Sequence, residues 1–206
     1  NVVRDIESYD VTTVRASIGN YLLGKYISEN TEFKVVFSGD YSDEVCGGYK
    51  YFKFCPMEEG EHDKECNRLL REIIYFDALR SDRCISHHGL EVRCPFSDIR
   101  FMETYLSLPE DIKRSNDKIE KYALRKAFSG SKIIPETVLW RKKEAFSDGV
   151  TPDYQPLHYL LRNIFDEKQY YKNIFFTYFS PQFDTNVPHY WMPKWCFTDD
   201  PSARTI

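Results

Sequence analysis

The spacing of apolar positions changes at about residue 30 of the chain. Over residues 10–29 the apolar side chains recur at the spacing of one helix face, at Val14, Ile18, Leu22 and Ile27. This segment is therefore predicted to be a helix. A threonine near its start, Thr12 or Thr13, is expected to cap it, since a threonine hydroxyl accepts a hydrogen bond from a free backbone N–H.

Residues 33–37 break this spacing with a short run of aromatic and β-branched side chains. The run ends abruptly at Ser38 and Gly39. A short, continuous apolar run of this kind is typical of a parallel strand that is buried. A helix followed by such a strand indicates an α/β layered unit at the front of the chain.

The segments after residue 50 carry mainly helical patterns. Residues 58–65 are highly charged and are predicted to be a solvated loop that leads into a helix. The apolar residues between 69 and 80 fall on one helix face. Two further helices are predicted over residues 101–108 and 118–128. The region behind the front unit is therefore expected to be mainly helical.

The pattern weakens after residue 150, and this change divides the chain into two parts. Residues 1–150 hold the α/β unit and most of the predicted helices. Residues 151–206 are predicted to form a helical and irregular C-terminal tail that is rich in aromatic residues. Residues 188–206 show little periodicity, so we expect this end of the chain to be peripheral.

Composition and charge exclude several classes of protein. Hydrophobic residues make up 42% and charged residues 29%, which is ordinary for a soluble globular protein. The formal net charge of -4 comes from interspersed charges of both signs, so no nucleic-acid partner is expected. No apolar run approaches the roughly 20 residues that cross a bilayer, so no membrane partner is expected either.

The cysteines indicate the cellular compartment of the protein, and the first residue indicates whether the chain is a fragment. The six cysteines form no Cys-x-x-Cys pair and have no spacing with histidine that suits zinc. Their scattered positions favour reduced thiols and a cytoplasmic location. The chain starts at Asn1 rather than at methionine and shows no signal-peptide pattern, so we expect a fragment or a processed product.

The loop directly after the predicted strand is the best candidate for chemistry. It reads Ser38-Gly39-Asp40-Tyr41-Ser42-Asp43-Glu44. In open α/β sheets, ligands bind at the carboxyl ends of the strands. Crowded carboxylates repel one another unless a cation binds, and Mg²⁺ is commonly held by one or two carboxylates together with substrate phosphates. The loop therefore suits a Mg-nucleotide, although an exposed acidic turn that caps the next helix explains the same spacing.

Residues 37–49 resemble the signature of the asparagine synthetase family, Ser-Gly-Glu-Gly-Ser-Asp-Glu-x-x-Gly-Gly-Tyr. Other segments resemble family segments in the same order along the chain, and they are residues 6–17, 89–98, 140–150, 189–195 and 200–205. The third of these reads Trp-Arg-Lys-Lys-Glu-Ala-Phe-Ser-Asp-Gly-Val. Because the resemblance spans nearly the whole chain, the chain is identified as a member of this family.

The resemblance implies a fold and an activity. The fold would be α/β, part of an ATP-pyrophosphatase (adenine nucleotide alpha hydrolase-like) domain with a parallel sheet, followed by a mainly helical region. Family members use ATP to activate the side-chain carboxylate of aspartate as an aspartyl adenylate. Ammonia from a glutaminase domain then yields asparagine. The implied partners are ATP with Mg²⁺, aspartate and that glutaminase domain, and a homodimer is left open.

The resemblance also implies roles for five residues. Ser38 and Gly39 would contact ATP, and Asp43 would hold Mg²⁺ and pyrophosphate. Asp40 stands where the family usually has glutamate, the residue tied to forming and using the aspartyl adenylate. Lys143 would neutralise the phosphate charge that develops when the α-phosphorus is attacked.

Four further residues are predicted to have structural rather than catalytic roles. Glu91 and Arg93 are predicted to form an ion pair that shapes the site. The family pattern requires no histidine at His87 or His88, so both are predicted to be surface or packing residues.

The chain departs from the family pattern at three positions near the proposed site. Asp40 replaces glutamate, Tyr41 replaces glycine and Ala145 replaces glutamine. The shorter carboxylate matters, since small misplacements in such sites can cost about 10²-fold in rate. Tyrosine also lacks the freedom for positive φ that glycine has.

Two family features are absent from the 206 residues, namely the Ser-Gly-Gly-x-Asp-Ser phosphate loop and the N-terminal cysteine of the glutaminase. The chain alone is therefore expected neither to hydrolyse glutamine nor to bind ATP productively. Two alternatives stay open. One is a related amide ligase, such as a β-lactam synthetase-like enzyme, with another carboxylate substrate. The other is an inactive paralogue that acts as a binding module.

Overall fold

The computed structural model describes residues 1–114, 119–146 and 157–198. Several predicted features therefore lie partly or wholly outside the described residues: the start of the helix over 118–128, the end of the segment 140–150, the division at residue 150 and the segment 200–205. All six cysteines lie among the described residues, and their thiols are free. None of the described helices is long and apolar enough to cross a membrane.

The chain begins with two helices, α1 (Val2–Ile6) and α2 (Val11–Asn30). Asp10 caps α2, because one of its oxygens accepts hydrogen bonds from the Thr13 backbone N–H at 2.8 Å and the Thr13 hydroxyl at 2.7 Å. The prediction that Thr12 or Thr13 is the cap is wrong. Both threonines already lie inside the helix, whereas Asp10 has the non-helical ψ of 125° that an N-cap needs.

Strand β1 (Val35–Phe37) runs parallel to β2 (Glu91–Arg93), and the three residues of each pair in order. The parallel direction confirms the prediction, but the predicted burial is wrong. Val35 is 41% exposed and Phe37 is 71% exposed. In the part of the chain that the structure describes, β1 pairs with β2 alone.

The remaining described residues are mainly helical, as predicted. The α-helices after β1 are α3 (Ser42–Cys46), α4 (Glu61–Glu72), α5 (Asp77–Ser86), α6 (Ile99–Leu106), α7 (Glu110–Lys113), α8 (Tyr122–Phe128), α9 (Glu136–Leu139), α10 (Leu157–Arg162) and α11 (Glu167–Tyr178). Short 3-10 turns cover Lys50–Phe54, Ile73–Tyr75, Pro95–Ser97 and Pro181–Asn186. Because α4 begins inside the charged segment 58–65, that segment is partly helix rather than loop. The fold is thus mixed α/β, with a small parallel sheet.

The single helix face predicted across residues 69–80 is interrupted. The helices α4 and α5 are separate and are joined by the 3-10 turn Ile73–Tyr75 and by Phe76. Phe76 has φ of -126° and ψ of -98°, which no helix contains, and its ring is buried in a core cluster. As a result, Asp77 and Arg80 of α5 reach side chains of the segment that follows β1.

The C-terminal part of the described chain packs against the first two helices. The core cluster there joins side chains that are far apart in sequence, namely Val3, Ile6, Tyr9, Val11, Val14, Cys84, Tyr171, Phe175 and Val187. An ion pair links Arg15 of α2 to Glu167 of α11, and both side chains are buried. Trp191 is buried as well, so the end of the chain is less peripheral than predicted.

Candidate functional site

The loop after β1 lines a cavity of about 510 Å³. The five residues predicted to form the site, Ser38, Gly39, Asp40, Asp43 and Lys143, all lie in its wall. The structure therefore brings together two sequence motifs that are far apart along the chain. It also adds residues that the sequence did not single out for the site, namely Thr12, Thr13, Tyr49, Asp77, Arg80, Lys121 and Trp191.

The three carboxylates of the loop turn to different partners. Asp40 pairs with Arg80, and Asp43 lies beside two lysines. Glu44 accepts a hydrogen bond from the Tyr49 hydroxyl. The carboxylates therefore do not converge on one point. Among the described residues, no group of three or more His, Cys, Asp or Glu side chains could hold a metal ion.

Asp40 is held on both of its carboxylate oxygens. Arg80 Nη2 donates to Oδ1 at 2.7 Å, and the hydroxyls of Ser38 and Ser81 both donate to Oδ2. A carboxylate with three donors has little freedom to rotate. Asp40 is therefore fixed against α5, and the Ser38 hydroxyl that was expected to contact ATP is used in fixing it.

Arg80 joins Asp40 to a second carboxylate, that of the half-buried Asp77, whose Oδ1 lies 2.6 Å from Arg80 Nη2. Burial raises the pKa of Asp77, but the Arg80 charge and hydrogen bonds from Glu44 and Tyr49 outweigh it and lower the pKa to about 2. Burial and the neighbouring Asp77 carboxylate raise the pKa of Glu44 well above its ordinary value. Glu44 therefore keeps its proton to higher pH than an ordinary glutamate does.

Asp43 lies beside two ammonium groups. Lys121 Nζ is 3.0 Å from Asp43 Oδ1, and Lys143 Nζ is 4.0 Å from Asp43 Oδ2. Burial raises the pKa of Asp43, but the charges of Lys143 and Lys121 outweigh it, so the net pKa lies below its usual value. Two cations around one carboxylate leave a surplus of positive charge, and this surplus favours an anionic ligand.

Lys143 is distinct from the basic residues beside it. Its Nζ lies 5.3 Å from the centroid of the Tyr49 ring, in a cation–π contact. Arg141 and Lys142 are exposed, and neither lies in the cavity wall. Of the three consecutive basic residues, Lys143 is thus the one that faces the site.

Lys121 is one of the site residues that sequence reasoning missed. It precedes α8, and its Nζ donates to Ser42 Oγ at 2.7 Å in addition to pairing with Asp43. The neighbouring Gly48 leaves room for this arrangement, because a Cβ there would lie 2.0 Å from Asp43 Oδ1 and 2.4 Å from Lys121 Cε. No local pattern distinguishes Lys121 from other lysines of a helical segment, so only the tertiary contact identifies it.

Tyr41 takes the backbone conformation that glycine usually supplies, with φ of 72°. We expect Tyr41→Gly to raise the free energy of unfolding by about 0.5–1 kcal/mol, since left-handed backbone costs a residue with a Cβ about 1–2 kcal/mol and glycine loses part of this gain to its flexible unfolded state. Urea denaturation measures the change.

Tyr41→Ala is the matched control for this prediction. Alanine removes the tyrosine ring but keeps the Cβ, so it should give no gain in stability. Equal gains for alanine and glycine would show that the ring, rather than the backbone, carries the strain.

The ion pair between Glu91 and Arg93 is confirmed, with Arg93 Nε 2.7 Å from Glu91 Oε1. Both side chains are more than half exposed, and neither lies in the cavity wall, so the pair contributes little to the site. His87 and His88 pack against the Tyr21 ring, with ring centroids 5.3 and 4.5 Å from it. His87 is exposed and His88 is half-buried, which confirms the prediction that they are surface or packing residues.

Comparisons with known proteins show the family of the chain. The family model described as asparagine synthase matches residues 1–67 and 56–185. The chain therefore belongs to the asparagine synthase family.

The chain is similar to particular vertebrate proteins of this family. It is 43% identical to the asparagine synthetase (glutamine-hydrolyzing) of Bos taurus and to that of Gallus gallus, and 42% identical to that of Homo sapiens. Each alignment covers 100% of this chain and 40% of the relative. The chain thus spans 40% of the length of these curated relatives.

Proposed function

We propose that this chain is part of an enzyme that makes asparagine from aspartate and ATP. The observation that carries the proposal is the position of Asp43 beside Lys121 and Lys143, in a cavity at the carboxyl end of β1. Family membership supports the substrates. The proposed domain is part of an ATP-pyrophosphatase fold, whose parallel sheet includes β1 and β2, and ammonia would come from a glutaminase domain outside these residues.

The side chains around Asp43 fit a nucleotide with Mg²⁺. Its Oδ1 is buried and lies 3.0 Å from Lys121 Nζ, whereas its Oδ2 lies 4.0 Å from Lys143 Nζ, which is too far for a hydrogen bond. Because one carboxylate cannot fill the coordination shell of Mg²⁺, the ion would share its remaining positions with phosphate oxygens and water. When bound, the ion would neutralise phosphate charge. Lys121 and Lys143 would hold phosphate oxygens directly.

The proposed reaction has two steps. A side-chain oxygen of aspartate bonds to the α-phosphorus of ATP while the bond to pyrophosphate breaks. Ammonia then bonds to the activated carbonyl carbon, and AMP leaves with the former carboxylate oxygen.

The site residues have separate roles in the first step. Lys143 would stabilise the negative charge that develops on the phosphates, since fixed charges act most strongly in a water-poor site. The backbone at Gly39 faces open space, where a Cβ would meet nothing within 4 Å, so ATP can approach it closely. Asp40, fixed by Arg80, would orient the groups around the reacting phosphate.

Aspartate-dependent exchange of pyrophosphate into ATP tests this function in the complete protein encoded by the gene. We expect aspartate to stimulate the exchange. The 206-residue chain alone should bind Mg-ATP only weakly by calorimetry, since it lacks the Ser-Gly-Gly-x-Asp-Ser loop. Tight binding by the chain alone would show that the missing loop is not essential.

Asp40 and Tyr41 favour one alternative, a related amide ligase with a different carboxylate substrate. In that case aspartate fails to stimulate exchange while another carboxylic acid succeeds. An inactive paralogue that acts as a binding module would bind no nucleotide in any form. The cytoplasmic location and the homodimer stay predictions.

A further inference from the structure

Two aromatic side chains that are far apart in sequence, Tyr49 and Trp191, are in contact in the cavity wall. The Trp191 ring centroid lies 5.3 Å from that of Tyr49, with an angle of 51° between the rings. The Tyr49 ring also carries the Lys143 ammonium, at 5.3 Å from its centroid. One ring therefore contacts both Trp191 and the lysine that faces Asp43.

Trp191 belongs to a segment that is fastened at several points. We define residues 189–195 as the C-terminal strap. The backbone N–H of Trp191 donates to Asp10 Oδ1 at 2.8 Å, and Asp10 is fully buried at the start of α2. Within the same strap, His189 lies 3.3 Å from a carboxylate of α4, and Lys194 lies 3.5 Å from another. The indole is thus held in a fixed place at the cavity.

Lys143 needs such support because a lysine side chain is flexible. Its ammonium is 4.0 Å from Asp43, which is too far for a hydrogen bond, so the carboxylate alone does not fix its direction. The Tyr49 ring supplies the second contact, and the hydroxyl of that ring is held by Asp77 at 2.8 Å. Trp191 packs on the same ring and limits its tilt.

We propose that Trp191 is a positioning residue for Lys143 and acts through the Tyr49 ring. The C-terminal strap therefore contributes Trp191 to the site. The effect on catalysis rests on the proposed function, whereas the effect on the position of Lys143 does not.

Trp191→Ala tests the proposal, with Trp195→Ala as the matched control. Trp195 lies in the same strap, packs on Tyr51 and Phe52 at 6.0 and 5.7 Å, and is not among the described residues of the cavity wall. Both variants remove one indole from the same segment. Trp191→Phe restores a ring and serves as the rescue variant.

The first measurement is competitive acylation of lysines in the complete protein, followed by mass spectrometry. The reactivity of Lys143 is expressed relative to its exposed neighbour Lys142. We expect Trp191→Ala to raise this ratio roughly 3-fold, the factor that corresponds to losing a cation–π contact. Trp191→Phe should largely restore it, and Trp195→Ala should leave it unchanged. An unchanged ratio in Trp191→Ala, or an equal rise in Trp195→Ala, would overturn the proposal.

The second measurement is the rate of ATP–pyrophosphate exchange in the complete protein. Trp191→Ala should lower kcat about 10-fold with little change in the KM for ATP, since a displaced catalytic group mainly affects the transition state. In a Lys143→Gln background the same change should have no further effect. If the two substitutions act additively, Trp191 does not act through Lys143. If the wild type shows no exchange with any acid, the proposed function fails, while the acylation ratio still decides the positioning role.

Discussion

Lys143→Gln is expected to lower the rate of aspartate-dependent ATP–pyrophosphate exchange in the complete protein about 10²-fold, as is usual when one preorganised charge-stabilising group is removed. The reason is geometric. Lys143 Nζ lies in the cavity wall, 4.0 Å from Asp43 and over the Tyr49 ring, where it can reach phosphate oxygens. Glutamine keeps most of the side-chain length but removes the charge. The measurement is the incorporation of labelled pyrophosphate into ATP.

Lys142→Gln is the matched control, because Lys142 is adjacent in sequence but exposed and outside the cavity wall. It should leave the exchange rate within about 2-fold of the wild type, as surface changes usually do. Lys121→Gln should resemble Lys143→Gln, since Lys121 contacts the same carboxylate at 3.0 Å. Equal exchange rates for Lys142→Gln, Lys121→Gln and Lys143→Gln would mean that neither Lys121 nor Lys143 acts on the phosphates.

Glu167→Ala is expected to lower the free energy of unfolding by about 3–5 kcal/mol, the usual cost of removing one partner of a buried ion pair. Arg15 Nε lies 2.9 Å from Glu167 Oε1, and the Tyr171 hydroxyl donates to the same oxygen at 3.0 Å. Both charged side chains are only 5% exposed. The substitution therefore removes a carboxylate partner from a buried guanidinium between α2 and α11. Urea denaturation followed by circular dichroism measures the loss.

Two controls separate the buried charge from the loss of packing. Glu29→Ala removes an exposed partner of Lys25 on the same α2 helix and should cost less than about 0.5 kcal/mol. The double variant Arg15→Met with Glu167→Leu replaces both charges by apolar groups and should recover most of the lost stability. If the double variant is as unstable as Glu167→Ala, packing rather than the loss of the carboxylate partner explains the effect.

The sequence predicted helices and strands well where neighbouring residues alone determine them. The helical spacing over residues 10–29 corresponds to α2, and the apolar run over 33–37 contains β1 with its predicted parallel direction. The predictions failed where tertiary contacts override the pattern. Phe76 enters a core cluster and splits one predicted helix into α4 and α5. Asp10 caps α2 although the threonines after it also have suitable side chains.

The site was predictable in part, because motif residues carry their own chemical signature. Ser38, Gly39, Asp40, Asp43 and Lys143 all lie in the wall of one cavity, as the motifs indicated. The partners of these residues were not predictable. One partner, Arg80, lies in α5, another, Lys121, directly precedes α8, and the third, Trp191, lies near the C-terminus. None of them carries a sequence pattern that distinguishes it from a residue with a purely structural role.

The sequence by itself determined the family, the order of the main elements and the candidate loop that lines the cavity, because these depend on residue types at fixed spacings. Only the tertiary structure decided which charged side chains of the site lie next to each other. Asp40 is fixed by Arg80, Asp43 lies beside two lysines, and Glu44 accepts a hydrogen bond from Tyr49. Such pairings depend on distances of a few ångströms between elements remote in sequence, and those distances exist only after the chain has packed.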